Sequence, residues 1–300
     1  MSLLSHAVPY YTYGTHRTRL FGMDIVDKVV VVTGAGSGIG RALAQQFAAE
    51  GARFVICADL DGAAAQKTAS GIGPNSHAVA LDVASRDAIN ELVKSLEDEQ
   101  GGIDIFASNA GYAQGGGLAL EPEAWKQMME VHTWSHLYAA QAVIPLMIER
   151  GGGYLLNTSS AAGLLTQMDS GPYAVSKHAS VALAEWLAIN YKDRGIGVSV
   201  LCPQAVRTAI LSNRRNKADD KRGGEGGAQK SASNGSSNQA AVDGILEPEE
   251  VASLCLQAIR TEQFLVLPHP EVARYFQNKA NDYDRWLNGM RRMRERLRNR

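Results

Sequence analysis

Lys28–Gly40 reads KVVVVTGAGSGIG, and RALAQQFAAE follows at once at 41–50. Four successive valines make a continuous apolar run, the pattern of a strand covered on both faces of a parallel sheet. The run stops at glycines, where the backbone can turn tightly and meet a ligand with no Cβ between them. Residues 41–50 then read as a helix. A helix start reached this way offers unpaired N–H groups and a positive dipole end, which suits a pyrophosphate. The spacing departs from G-x-G-x-x-G, because Ile39 stands where that pattern has glycine. The candidate contacts to a dinucleotide are Gly34, Gly36, Ser37, Gly38, Ile39 and Gly40.

The same unit recurs outward from this point. ARFVICADL (52–60), HAVALDV (77–83), IDIFASNAG (103–111), GGYLLNTSS (152–160), IGVSVLCPQ (196–204) and QFLVLP (263–268) read as further strands. Segments 123–150, 173–195 and 247–260 read as helices, the first as one long helix. Regular alternation means right-handed βαβ units and an α/β fold with a doubly wound parallel sheet. Residues 1–26 read as an extension, 27–268 as the nucleotide-binding domain, and 269–300 as a basic helical tail. Residues 213–243 are rich in Gly, Ser, Asn and charge, and are either disordered or a lid.

Composition sets outer bounds. The chain has 300 residues, 30 Lys+Arg against 31 Asp+Glu and a net charge of -1, which argues against nucleic acid or membrane as a partner. The three cysteines, Cys57, Cys202 and Cys255, form no ligand cluster and suit buried thiols in a reducing compartment. No apolar run reaches the roughly 20 residues of a membrane span, and the start lacks a secretory apolar core, so a cytoplasmic enzyme is expected.

Asp59 lies 19 residues past Gly40, at the end of the second strand, followed by Leu60. An acid at this offset accepts bonds from adenosine ribose hydroxyls and repels a 2′-phosphate, which favours NAD over NADP. The plainer reading of Asp59 is a turn or cap acid. Tyr173 and Lys177 stand i, i+4 at the start of a helix and share a face. A phenol with a pKa of roughly 10 is a poor base at neutral pH, and a neighbouring ammonium lowers that value. Ser160, 13 residues upstream, follows the fifth strand and can hold a substrate oxygen beside the phenol.

The ordered set of Thr33-Gly34-x-x-x-Gly38-Ile39-Gly40, Asn109-Ala110-Gly111, Ser160 and Tyr173-x-x-x-Lys177 resembles the short-chain dehydrogenase/reductase family over about residues 25–268. The resemblance implies a Rossmann-like sheet of seven strands and hydride transfer at a nicotinamide. It implies Tyr173 as acid/base, Ser160 as the residue orienting carbinol or carbonyl, and Lys177 as the residue lowering the Tyr173 pKa and binding ribose. It also implies cofactor contacts from Asp82, Val83, Asn109, Ala110, Gly111, Pro203, Val206 and Thr208. Read without it, Asp82 caps a helix and Asn109–Gly111 is a turn.

Two positions depart from the family. His132 stands at the usual Asn of the long helix, so either a proton relay survives through the imidazole, or catalysis is impaired, or the helix geometry differs. Gln204 replaces the Gly after Pro203, and either contacts substrate or narrows the site. His132 and His136 have metal-ligand spacing but no third ligand, so no metal is expected. Leu164, Leu165, Met168, Ile210 and Leu211 either line a hydrophobic pocket or pack the core. Apolar faces on 123–150 and 173–193 suggest a homo-oligomer, a dimer or tetramer in the family. In the tail, Tyr275, Phe276, Tyr283 and Trp286 are expected to dock onto the body or a neighbouring subunit. The expected function is an NAD-dependent dehydrogenase or ketoreductase acting on a moderately hydrophobic secondary alcohol or ketone. The alternatives are a catalytically impaired dinucleotide-binding regulator and a lyase or epimerase on the same fold.

Overall fold

The computed structural model describes residues 22–208 and 243–298. The valine run forms β1 (Val29–Thr33) and the helix after the glycines is α1 (Gly38–Ala49). There follow β2 (Phe54–Asp59), α2 (Gly62–Ile72), β3 (Ser76–Ala80), α3 (Arg86–Gln100) and β4 (Ile105–Ser108). The second half runs α4 (Pro122–Met129), α5 (Ser135–Glu149), β5 (Gly153–Thr158), α6 (Gly171–Tyr191), β6 (Ile196–Leu201), α7 (Pro248–Thr261) and β7 (Leu265–Val266). The tail is two helices, α8 (Glu271–Asn281) and α9 (Tyr283–Arg298).

All strand pairs are parallel, in the order β3-β2-β1-β4-β5-β6-β7. The chain direction across the sheet reverses between β1 and β4, which opens a crevice at the carboxyl ends of those strands. Alternate valines of β1 serve opposite faces. Val31 joins Ile56, Phe106 and Leu155 in the layer that carries Ala139, Val143 and Val181 of α5 and α6. Val30 and Val32 join Cys57, Tyr154 and Phe47 in the layer under α1 and α7. Each such side chain, fully buried, contributes roughly 1.5–3 kcal/mol.

Two boundaries move. Residues 22–26, read as the end of an extension, belong to the body: Ile25 is fully buried and Met23 N–H donates to Ile259 O at 3.1 Å. The expected single helix over 123–150 is interrupted by a wide π turn at Glu130–Trp134, centred on His132. The turn is centred on the residue that departs from the family motif, and π turns often mark functional sites. Most of 213–243, and Ile210 and Leu211, lie outside the described residues. No helix among the described residues is long and apolar enough to cross a membrane.

Candidate active site

Thr33 ends β1 and ties three strands together. Its hydroxyl donates to Ala107 O at 3.3 Å and accepts from the N–H groups of Asn109 (2.9 Å) and Ala110 (3.0 Å). Asn109 Nδ2 donates to Thr33 O at 3.1 Å, and its Oδ1 accepts from Thr158 Oγ1 at 3.1 Å. Asn109-Ala110-Gly111 is thus a clamp across the ends of β1, β4 and β5, more than a turn. Gly34 has φ +68°, and a Cβ there would lie 2.9 Å from Ala110 Cα; a Cβ on Gly40 would run into the Gly34 carbonyl. These glycines let the loop pack closely on the sheet end.

Several helices have side-chain caps: Asp61 on α2, Ser85 on α3 and Ser170 on α6. At α1, Ser37 takes the cap position without a capping bond, and the first turn carries no acid. Its first N–H groups therefore suit a phosphate, so the residues present fit a dinucleotide. Asp59 is 4% exposed; Oδ2 accepts from Gly36 N–H at 2.8 Å and Oδ1 from Asp61 N–H at 3.0 Å. Each oxygen keeps a lone pair. Arg41, the nearby cation, is committed to the Gly36 carbonyl. Leu60 beside it is 75% exposed. Asp82 is exposed and accepts from Ala84 N–H at 3.0 Å in a turn, while the cap of α3 is Ser85; Val83 is buried and Ile39 packs against the core.

Ser170 starts α6, accepting from Tyr173 N–H at 3.3 Å and donating to Gln114 O at 2.6 Å. That fixes the first turn, where Tyr173 stands. The Ser160 side chain acts on the Tyr173 phenol, and its Oγ accepts from Ala162 N–H at 3.1 Å. Burial raises the Tyr173 pKa and the Ser160 bond opposes that rise. Lys177 is buried, and burial pulls its pKa down to about 8. Its Nζ donates to Thr158 O at 3.0 Å and stands 5.8 Å from the Tyr173 ring centroid. One bond of the ammonium therefore goes to a strand carbonyl while the group stays beside the phenol.

His132 lies edge-on to the Tyr173 ring, with centroids 5.4 Å apart. Its Nε2 accepts from Tyr112 N–H at 3.2 Å, so the proton sits on Nδ1, which faces Ser176 Oγ at 3.0 Å. Ser176 in turn donates to Tyr173 O at 3.2 Å. Burial, then the Lys177 charge, push the His132 pKa well below its ordinary range. With both nitrogens hydrogen-bonded, His132 braces the loop after β4 against α6. His136 is equally buried, with a pKa down to about 3 through burial. The pair does not converge on a metal, and the described residues hold no group of three metal-binding side chains.

Gln204 is tied to two later segments. Its Nε2 donates to Asp243 Oδ2 at 3.0 Å and its N–H to His269 Nδ1 at 3.3 Å, so it faces the start of α7 and the tail. Pro203 O accepts from Ala161 N–H at 2.9 Å and lies 3.5 Å from Ser160 Oγ. Val206 is buried, bridged to Leu246. Thr208 reaches the glycine loop: a Cβ on Gly38 would lie 2.7 Å from Thr208 Cγ2. Leu164 belongs to the core. The three cysteines are buried, and desolvation raises their pKa values to about 11 or 12, so their thiols stay protonated. Sequence reasoning missed Thr158, Ser176 and Asp243. Thr158 and Ser176 sit beside assigned residues, but a backbone carbonyl acceptor and a helix-to-helix contact leave no mark in a spacing pattern.

A family model described as short chain dehydrogenase matches residues 28–219. The chain belongs to the short chain dehydrogenase family. This dehydrogenase is therefore an oxidoreductase. It is 36% identical over 196 residues to the 1-deoxy-11-beta-hydroxypentalenate dehydrogenase of Streptomyces exfoliatus, covering 63% of this chain and 71% of that protein. It is 36% identical over 186 residues to the galactitol 2-dehydrogenase of Agrobacterium fabrum, covering 61% and 72%. In three dimensions it is similar to a short chain dehydrogenase/reductase of Burkholderia phymatum solved in complex with NAD, with a TM-score of 0.79 and 30% identity over 87% of this chain and 96% of that one.

Proposed function

We propose that this dehydrogenase uses NAD to oxidise a secondary alcohol, or to reduce the matching ketone, with Tyr173 as acid/base. The observation that carries the reading is the grouping of Ser160, Tyr173 and Lys177 past the end of β5, with the Lys177 ammonium 5.8 Å from the Tyr173 ring and Ser160 acting on the phenol. Ser160 holds the substrate oxygen. Tyr173 takes the hydroxyl proton in oxidation and returns it in reduction. A bound nicotinamide supplies the hydride acceptor and, when oxidised, a positive charge that favours the phenolate. Lys177, near its own pKa of about 8, can carry a proton between the site and a ribose hydroxyl.

Asp59 supports NAD over NADP. Its carboxylate is held at the loop by two backbone N–H groups, with lone pairs free for ribose hydroxyls. The relatives named as dehydrogenases of a hydroxypentalenate and of galactitol support a substrate that carries a carbinol. Trp186 and Ile189, 52% and 79% exposed on α6, support a homo-oligomer that covers this face. Work in the cytoplasm fits the buried, unpaired thiols.

The test is a panel of galactitol, cyclohexanol and 2-octanol with NAD and with NADP, followed by reduced-nicotinamide absorbance. Oxidation is expected with NAD, and Tyr173→Phe is expected to abolish it while NADH still quenches protein fluorescence at the wild-type concentration. Turnover surviving in Tyr173→Phe overturns the proposal.

A further inference from the structure

Lys279 of α8 is buried, 7% exposed, yet no carboxylate among the described residues lies within ion-pair reach. Its Nζ donates to Leu164 O at 2.7 Å and Leu165 O at 3.0 Å. A third acceptor is His178 Nε2 at 3.4 Å, left unprotonated because His178 Nδ1 donates to Ala174 O at 2.8 Å. The rings of Trp286 and Tyr283 close over the ammonium, with centroids at 5.0 and 5.5 Å. Burying a charge costs several kcal/mol unless each proton finds an acceptor. An apolar side chain would dock α8 without that cost, so the ammonium has a further use.

Its acceptors identify that use. Leu164 and Leu165 lie midway along the only covalent link between Ser160 and Tyr173, and His178 is next to Lys177. One turn before Lys279 on the same helix face, Tyr275 donates its hydroxyl to Asp243 Oδ1 at 2.9 Å, and Asp243 Oδ2 accepts from Gln204. We infer that α8 is a strut for the active site, in which Lys279 sets the loop between Ser160 and Tyr173 while Tyr275, through Asp243, sets the loop after β6. Both are positioning residues, and the catalytic part of the inference rests on the Ser160–Tyr173 reading above.

Amide hydrogen exchange without substrate tests the strut directly. Gly163, Leu164 and Leu165 donate N–H bonds within the Ser160 loop, to Ser160 O and Ala161 O. Lys279→Met is expected to speed exchange at these amides about tenfold or more, as for loss of hydrogen bonds to a charged group, while β1 and α1 stay unchanged. Tyr275→Phe, which removes one hydroxyl, is expected to speed exchange at Arg207 and Leu246 instead, whose N–H groups bond Leu246 O and Ala205 O. With NAD and the fastest alcohol of the panel, Lys279→Met is expected to lower kcat about tenfold or more and to leave the NADH Kd within twofold. Exchange that rises evenly through the chain, or stays unchanged in both variants, overturns the inference. So does a released loop with unchanged kcat. Where Lys279→Met does not fold, the Tyr275→Phe arm decides by itself. Localised exchange together with turnover surviving in Tyr173→Phe would sink the proposed chemistry and leave the strut standing.

Discussion

Replacing Lys177 with methionine separates what the ammonium does for chemistry from what it does to the fold. The stem of the side chain is kept and the charge removed. Burial lowers the Lys177 pKa from 10.5 to about 8 in the folded protein. At about 1.4 kcal/mol per tenfold change in protonation, holding the charged form inside costs about 3 kcal/mol relative to the unfolded chain. Below pH 8 both states keep the proton and the cost is fully present. Between about 8 and 10.5 the unfolded chain binds more protons than the folded one, so stability rises with pH. Urea unfolding of wild type and Lys177→Met from pH 7 to 10.5 reads this out, since other titrating groups act in both proteins and cancel. Lys177→Met loses turnover, and wild-type stability is expected to gain about 3 kcal/mol on the variant across that range. The variant also leaves Thr158 O without its donor, a constant offset of about 1–3 kcal/mol that does not change with pH. A difference between the two proteins that stays flat with pH would refute the reasoning and place the Lys177 ammonium in a wetter site than its 4% exposure implies.

Three further outcomes are expected. His132→Ala removes the bonds of its ring to Tyr112 N–H and Ser176 Oγ and costs about 3 kcal/mol; in wild type, NMR is expected to find no titration of His132 between pH 6.5 and 8, because its pKa lies well below 6.5. Asp59→Ala is expected to weaken NAD roughly ten- to hundredfold, the worth of hydrogen bonds to a charged group, and to leave NADP little changed; kcat/KM for both cofactors measures this, and an unaltered preference removes the argument for NAD. Tyr154→Phe deletes a buried bond to Ser199 Oγ at 2.8 Å and is expected to lower stability by about 1–2 kcal/mol in chemical denaturation, without touching activity.

The order of strands and helices was legible in the sequence because both faces of this sheet are covered, so each strand is a short apolar run that local reading detects. The glycine loop and the Tyr173–Lys177 spacing were legible for the same reason: a turn without Cβ atoms and a helix face are properties of a dozen neighbouring residues. Tertiary structure alone decided the rest. The π turn at His132 and the neutral, doubly bonded state of its ring depend on Tyr112 and Ser176, which are 20 and 44 residues away. The partner of the Gln204 amide, Asp243, stands 39 residues on. Lys279 stands in the basic tail, and its acceptors are carbonyls more than a hundred residues distant. A backbone carbonyl has no letter in the sequence, and burial is a property of the packed chain, so both the direction of each pKa shift and the partners of each buried charge exist only once the layers have closed.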